Sequence, residues 1–562
     1  MHHPRSYVYA CLGLLGYILV ASLYFGWHVI GSFHTHYVGY ESDPALFMWM
    51  LNWWPFSLLH GLNPLYTDYV WYPLGFSIAN TTSIPLYGFA LWPITVHFGA
   101  QTSYNLLAIY LSALSAWAMY GFAYFLTRQF WPAWASGLVF GFSTYMIGQT
   151  MGGHLNLMSI YPIPLLAWIS CAYCQQRLSA RWSFVWFFFC FVLLVGTSRE
   201  ILAITGCIGC LTVLLSLLCY RDHRIKIVYC VVLAMGAMFC ALILYWPYLI
   251  AFIKHLHDAK TAYPLSSVGF FWNLVLPSHI SLLGQLLPQH FLMRLTPESR
   301  IEMTNYMGLL SLIIILYGGL SWKKTRTKPL LLFAWLMSFS LTFGPFVWIT
   351  TNHLTHILTP EVLFYEMPLL HKIIPARFSV GMWFFLAIMV ALWMAEPAKK
   401  RWPKYGLIAL GMFSILPSFS HNLRPWYSTN PPSQFFRHHT YQHYCPPSDP
   451  LWIIAISPHQ GQAMLWQLAS NMAFKQYYGY VNFMPPNHYP DYGLAWSVLH
   501  RHLFFNTSVR LVNFLHAEPV TCLITTPQTV LHWHPLFTKL PAPVYQSHSL
   551  IVYRFHPEMH HD

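Results

Sequence analysis

Charge is what this sequence has least of. Only 8% of its 562 residues are Asp, Glu, Lys or Arg, against 56% hydrophobic residues and a mean hydropathy of +0.45. So few solubilising groups exclude a soluble globular chain of this size and indicate a polytopic membrane protein. Phosphate-binding loops are missing too. There is no GxxxxGK[ST] and no GxGxxG opening a helix, which removes the nucleotide-powered pump and the dinucleotide enzyme. The surplus of +13 charges is spread between hydrophobic spans instead of clustered on one face, so nucleic acid is not an expected partner. No internal repeat suggests a transporter built from duplicated halves. The apolar run Tyr7–Ile30 lacks a small-residue cleavage site and reads as a retained first helix, not a signal peptide.

Of the eleven cysteines, nine lie in or beside hydrophobic spans, where small buried apolar side chains are expected. The pairs Cys171/Cys174 and Cys207/Cys210 lack the partner His or Cys that zinc requires. Cys445 and Cys522, the two in the C-terminal tail, allow one disulfide if the tail faces an oxidising compartment.

What is present is a series of apolar runs of helical length. After Tyr7–Ile30 they recur near Ser103–Leu126, Pro132–Gly148, Leu157–Tyr173, Trp182–Val195, Ile201–Tyr220, Ile227–Phe252, Tyr306–Leu320, Leu330–Ile349, Phe378–Met394 and Tyr405–Leu416, about eleven transmembrane helices in all. With the N-terminus inside, the inside loops carry Arg128; Arg177 and Arg181; Arg221, Arg224 and Lys226; Lys323, Lys324, Arg326 and Lys328; and Lys399, Lys400, Arg401 and Lys404. Every alternate loop is basic, as the positive-inside rule requires. The outside then receives the first loop (31–102), the turn at His154, Thr197–Glu200, Lys254–Asn305, His353–Arg377 and the tail. The tail is more polar, and its pattern predicts strands at Leu451–Ile456, Val520–Thr525 and Leu550–Phe555 with a helix at Gly461–Ser470. The expected architecture is a polytopic α-helical membrane module over residues 1–420 and a small extracytoplasmic α/β domain over 421–562.

The chain is organised around Tyr40–Gly75. Asp43-Pro44 predicts a helix start, with Asp43 as the N-cap and Pro44 at the first helical position. Ala45–His60 follows, crowded with Trp49, Trp53 and Trp54, and its tryptophan density predicts a helix lying along the bilayer surface. Gly61 and Asn63-Pro64 end it.

With 16 acids in the chain, those outside can be sorted as candidate bases. A membrane enzyme that deprotonates an acceptor hydroxyl needs a carboxylate within hydrogen-bond reach of that proton. Asp43 is the first candidate and Glu200 the second; a plain capping role is the alternative for Asp43. Glu41-x-Asp43 could hold a divalent metal, but two carboxylates alone make a weak site, and none is favoured. Arg199-Glu200 sits at the outer edge of two spans, where ions are usually paired, so an interhelix ion pair competes with a functional role. Arg377 could grip a phosphate bidentately or snorkel to headgroups. His154, between Gly152-Gly153 and Leu155-Asn156, is a candidate acid/base or a structural polar. The spacing of His438, His439 and His443 is a weak metal pattern.

The wording of several segments resembles bacterial members of the GT-C superfamily of membrane glycosyltransferases. The segments are Ser42-Asp43-Pro44, His60-Gly61-Leu62-Asn63-Pro64, Tyr72-Pro73-Leu74-Gly75, Asn305-Tyr306-Met307-Gly308-Leu309 and Pro375-Ala376-Arg377-Phe378, within residues 1–420. The resemblance implies a GT-C-like fold and transfer of a sugar from a polyprenyl-phosphate carrier to a lipid, glycan or protein acceptor at the outer face of the inner membrane. It implies Asp43 as the acidic residue of the first loop, acting as base, with Arg377 near the donor phosphate. With the candidates above, the catalytic set is Asp43, Glu41 and Glu200 and the substrate-binding set Arg377, Arg199, His154, His60 and Tyr306. No cofactor beyond the lipid-linked donor is implied. Many relatives carry two adjacent acids in the first loop, whereas this chain has Glu41-Ser42-Asp43. The rival readings are a lipid or sugar transporter or flippase, whose path needs polar residues within several helices, and a non-enzymatic envelope assembly protein that recognises partners through the tail.

The alternation of basic loops makes topology testable. A reporter active only outside the cytoplasm is expected to work when fused after Ser418 or within Lys254–Asn305, and to stay silent after Arg326. A silent fusion at Ser418 would overturn this arrangement.

Overall fold

In the computed structural model, helix follows helix wherever apolar runs are long. The structure describes residues 4–40, 42–254, 271–277, 281–288, 290, 292, 305–319, 327–350, 353–365, 367, 370, 373–398, 400–416, 426–430, 433–447, 449–455, 461–481, 485–486, 489–500, 502–504 and 506–555. Seven segments among them are helical, apolar and at least 18 residues long: Tyr7–Tyr24, Ala100–Thr127, Leu155–Cys174, Ala180–Thr197, Arg199–Cys219, Arg221–Leu244 and Pro375–Ala395. The chain is a polytopic helical membrane protein.

The elements through residue 254 are α1 (Pro4–Tyr24), β1 (His36–Val38), α2 (Asp43–Leu59), β2 (Tyr66–Thr67), β3 (Phe76–Ser77), α3 (Pro85–Ala90), α4 (Trp92–Phe98), α5 (Ala100–Thr127), α6 (Phe130–Gly141), α7 (Thr144–Gly152), α8 (Leu155–Met158), α9 (Pro162–Cys174), α10 (Ala180–Thr197), α11 (Arg199–Cys219), α12 (Arg224–Leu244) and α13 (Trp246–Lys254). Several predicted spans are shorter or broken, each for a local reason. Pro132–Gly148 divides into α6 and α7 because the Ser143 hydroxyl accepts from Met146 N and starts a new helix. Ile227–Phe252 breaks before Trp246-Pro247, where proline has no N–H to continue the ladder. The predicted Leu330–Ile349 is helical only over Thr327–Leu341. Gly344 then takes a positive φ of 73°, and the chain turns into an antiparallel hairpin, β4 (Phe346–Thr350) with β5 (His353–Leu358).

The predicted basic loops meet at one end of the bundle. Arg128 and Arg177 lie over the same Phe125 ring, at 5.5 and 5.1 Å. Gln129 reaches Ala395 O at 3.5 Å, and the next residue, Glu396, pairs with Lys328 at 2.7 Å and accepts from Lys404 through its carbonyl at 3.0 Å. Thr327, beside Lys328, bonds Tyr220 at 2.9 Å next to the Arg221–Lys226 loop. Lys323, Lys324, Arg326 and Lys399 lie outside the described residues.

At the opposite end α2 is enclosed by protein. Twelve of its 17 residues are buried, and it packs against α3, α4, α5 and the tail helix Gln462–Ala469. This corrects the expected surface helix. The tryptophans face protein: Trp49, Trp53 and Trp54 are all buried, and each indole N–H has a protein acceptor. Trp49 donates to Gln467 Oε1 at 2.7 Å, Trp53 to Pro64 O at 3.0 Å and Trp54 to Ser83 O at 2.7 Å. With those partners an indole needs no headgroup.

The tail contains the predicted strands, as β7 (Trp452–Ile454), β8 (Cys522–Thr525) and β10 (Ile551–Arg554), joined by β9 (Tyr545–Gln546) in the order β7-β8-β10-β9. The β7–β8 pair is parallel and the rest antiparallel, which gives a small α/β unit with the helices around it. Cys445 and Cys522 are disulfide-bonded, with Cα atoms 5.6 Å apart. The unit is stitched to the first loop. Strand β6 (Tyr427–Thr429) pairs with β1, Lys475 pairs with Asp68, and Gln476 N donates to Tyr69 O at 3.1 Å.

Gln467 is the centre of that seam. Fully buried, it accepts from Trp49 and from Gln476 Nε2 (3.1 Å) and donates to Tyr69 O (2.9 Å) and Phe474 O (2.7 Å). Gln467→Leu keeps the volume and orphans these groups, each worth roughly 1–3 kcal/mol when buried unpaired. The expected result is a loss of ~3 kcal/mol or more, read as a drop of several degrees in thermal unfolding of the detergent-solubilised protein. An unchanged midpoint would show that the seam does not hold the two regions together.

Candidate active site

The candidate site forms where the start of α2 meets the end of α7. Gly153 follows α7 with a positive φ of 75°, and a Cβ there would lie 2.4 Å from Pro44 Cγ and 2.6 Å from the Tyr104 hydroxyl. Only glycine satisfies both the backbone and the contact. Two helix ends can therefore touch, and the next residue, His154, places Nε2 3.0 Å from Asp43 Oδ2. Its Nδ1 lies 2.8 Å from Gln149 Oε1, and both His154 and Gln149 are buried.

Asp43 does not cap its helix. The N-cap is Ser42, whose side chain makes no capping bond, and Asp43 is the first helical residue. Its carboxylate turns away from the α2 amides because stronger donors face it: His154 on Oδ2 and the Tyr480 hydroxyl on Oδ1, at 2.9 Å. Burial is the largest influence on its ionisation and opposes it. The His154 hydrogen bond and charge, the Tyr480 hydrogen bond and the nearby Arg377 charge together outweigh burial and hold the carboxyl below its usual range. The N-terminal end of α2 also favours the anion. Asp43 is thus an ionised carboxylate at neutral pH, engaged but not consumed by a structural role.

Arg377 lies in a turn of 3₁₀ helix, Pro375–Phe378, that opens the helix Ser379–Ala395. Its Nη1 is 2.6 Å from Glu200 Oε2, and both side chains are largely buried. Glu200 occupies the first turn of α11, where Ser198 accepts from Ile201 N at 3.1 Å. Asp43, His154, Glu200 and Arg377 come from four predicted outside segments and gather at the end of the bundle away from the basic loops.

The other candidates lie apart from this cluster. Arg199 turns to the first loop, donating to Ala79 O (2.6 Å) and Thr81 O (2.9 Å) with its guanidinium 4.3 Å over the Phe252 ring. His60 is exposed at the C-terminal end of α2, bonded to Phe56 O at 2.8 Å, and so stands the length of the helix from Asp43. Tyr306 is buried at the other end of α7, where its carbonyl accepts from Thr144 at 2.8 Å. Glu41 lies outside the described residues. Among the described residues no three His, Cys, Asp or Glu side chains, the His438–His443 stretch included, come together as a metal-holding group. Elsewhere outside the spans, Glu361 is buried, which pushes its carboxyl up to about 7.

Two residues of the site were not found from the sequence. Gln149 is one polar residue in an apolar run, and Tyr480 lies 437 residues beyond Asp43. The cluster Tyr477-Tyr478-Gly479-Tyr480 is the signal that stood out least, since aromatics make up 18% of the chain.

No protein-family model matches this chain, and no curated protein resembles it in sequence. It is similar to solved structures. One is ArnT from Cupriavidus metallidurans bound to undecaprenyl phosphate, at 9% identity over 99% of this chain and 98% of that chain, TM-score 0.48. Another is the archaeal oligosaccharyltransferase AglB from Archaeoglobus fulgidus in complex with an inhibitory peptide and a dolichol-phosphate, at 11% identity over 93% of this chain and 70% of that one, TM-score 0.47. A third, the Archaeoglobus fulgidus oligosaccharyltransferase in complex with Zn and sulfate, is 13% identical over 92% and 68%, TM-score 0.48.

Proposed function

We propose that this chain is a GT-C-type membrane glycosyltransferase that moves a sugar from a polyprenyl-phosphate carrier to a hydroxyl-bearing acceptor of the cell envelope. The observation that carries the reading is the convergence of an ionised, solvent-reachable carboxylate and a paired arginine at one end of a membrane bundle. The Asp43 side chain keeps 21% of its surface exposed while His154 is almost fully buried behind it. A carboxylate so placed can accept the proton of an acceptor hydroxyl as its oxygen attacks the anomeric carbon. The bond from that carbon to the phosphate oxygen breaks, and the polyprenyl phosphate departs. In a single displacement the anomeric configuration inverts.

Arg377 supplies positive charge for the leaving phosphate, and Glu200 orients the guanidinium. A carboxyl held below its usual range is a weak base, which suits a late proton transfer from a hydroxyl already acidified by bond formation. The reaction as written needs no metal. The alternation of basic loops supports an arrangement in which the N-terminus is cytoplasmic and the site and the tail lie on the outer side of the inner membrane. A transporter would need charged groups along its spans, and the ions described above gather at the two ends.

The test uses proteoliposomes with a panel of undecaprenyl-phosphate-linked sugars and an envelope extract as acceptor, following release of undecaprenyl phosphate. Asp43→Asn is expected to lower the rate by about 10²–10⁴-fold with near-normal accumulation, since the amide remains a hydrogen-bonding group of the same size. Arg377→Lys keeps the charge and loses the planar fork, so donor KM rises more than unfolding temperature falls. EDTA leaves the rate unchanged. Full transfer in Asp43→Asn with loss in Glu200→Gln would move the base to Glu200. Release by none of the panel, or release insensitive to both substitutions, would remove the glycosyltransferase reading.

A further inference from the structure

The contacts on Asp43 include one that does not come from the bundle. Its Oδ1 accepts from the hydroxyl of Tyr480, a residue of the C-terminal region, at 2.9 Å. The segment that leads to Tyr480 is fixed by close contacts with the first loop and α2. Gly479 stands so close to the first loop that a Cβ would lie 2.6 Å from Val70 Cβ. Upstream, Tyr72 N donates to Gln476 O at 3.1 Å, and Gln476 Nε2 bonds the Gln467 oxygen that also binds Trp49 of α2. A second tail glycine, Gly461, sits against the residues flanking Asp43. A Cβ there would lie 2.5 Å from Ala45 Cβ and 2.9 Å from Ser42 O. The tail is thus registered on the first turn of α2 itself.

We propose that Tyr480 is a positioning residue for Asp43, so that the C-terminal region completes the site instead of only flanking it. The phenol fixes the carboxylate rotamer by holding Oδ1 while His154 holds Oδ2. It also helps keep the charge in place. Around Asp43 stand His154 from the α7–α8 junction, Arg377 from the turn before Ser379–Ala395, Tyr104 from α5 and Tyr480 from the tail. Burial presses the carboxyl towards its neutral form, and Tyr104 offers no positive charge. His154, Tyr480 and Arg377 act the other way. Hydrogen bonds to ionised groups are about twice as strong as neutral ones, so losing one donor is felt directly in the proton affinity. The sign is fixed. With the phenol gone the anion is less favoured, and Asp43 protonates at higher pH.

The consequence for rate rests on the glycosyltransferase reading; the titration does not. The experiment measures protonation of Asp43 by infrared difference spectroscopy of the full-length protein across pH, with the band assigned by its loss in Asp43→Asn. Tyr480→Phe is expected to raise the midpoint by about one pH unit, a ten-fold change in acid dissociation. The acid limb of undecaprenyl phosphate release should move by the same amount, with kcat lowered and binding of undecaprenyl phosphate itself unchanged. Gly479→Ala, which keeps the hydroxyl but displaces it, should shift the midpoint in the same direction and serves if Tyr480→Phe does not accumulate. A midpoint in the folded variant equal to that of the unsubstituted protein would overturn the proposal. If the unsubstituted protein shows the titration and its shift but releases no undecaprenyl phosphate, the transferase reading falls and the positioning role stands.

Discussion

A carboxylate taken out of water needs donors around it, and the end of this bundle is arranged so that Asp43 has them. Desolvation alone would neutralise the group. His154, Tyr480, the Arg377 charge and the start of α2 reverse that, and each comes from a different part of the chain. His154 could not be within reach if α7 did not end against Pro44, and that approach requires Gly153, where any Cβ meets both Pro44 and Tyr104. Gly152 next to it is equally confined, since its Cβ would lie 2.6 Å from the His154 ring. The close approach of two helix ends is therefore one of the conditions for the ionised carboxylate.

The same end explains why the tail is not an appendage. Its own small sheet and disulfide would suffice for a separate lobe, but its surface towards the membrane is interlocked with the first loop through Gln467, Gln476 and the β1–β6 pairing. Strand pairing and buried amides are directional, so they set the tail's register on α2 to within a hydrogen bond. Hydrophobic contact alone would allow sliding. A tyrosine carried by the tail can therefore address one oxygen of one carboxylate.

Much of this was legible in the sequence because it depends on composition and period. Apolar runs announced the helices, and the alternation of basic loops anticipated two ends, one gathering Arg128, Arg177, Lys328 and Lys404 and the other Asp43, His154, Glu200 and Arg377. The tail strands followed from their β-branched and aromatic runs. The rest depended on partners far away in the chain. The tryptophans of α2 carry the same local signal whether lipid or protein surrounds them. What decides it is the protein packed around them, such as Gln467, 418 residues on from Trp49. The N-cap reading of Asp43 failed for a related reason. Asp-Pro is a good helix start on local grounds, but tertiary donors outbid the backbone amides, a competition that no local pattern records. Arg199 and Glu200 are neighbours in sequence and diverge in space, one to loop carbonyls and the other to Arg377.

The charges at the site narrow what it can accept. Asp43 and Glu200 are two anions and Arg377 one cation, so the cluster carries one negative charge with His154 neutral and none with His154 protonated. As placed, both ring nitrogens of His154 face oxygens, Asp43 Oδ2 and Gln149 Oε1, and only the imidazolium donates to both. With the Gln149 amide turned so that its NH₂ group meets Nδ1, the neutral ring fits instead, since amide orientation follows the hydrogen-bond network. The two states predispose the site differently. A neutral His154 leaves a net anion that repels a phosphate, whereas the imidazolium removes that repulsion and keeps Asp43 ionised. On the proposed reading, a lipid phosphate meets less repulsion when His154 carries its proton. Gln149, buried and aimed at Nδ1, then sets by its orientation which form of the His154 ring is favoured.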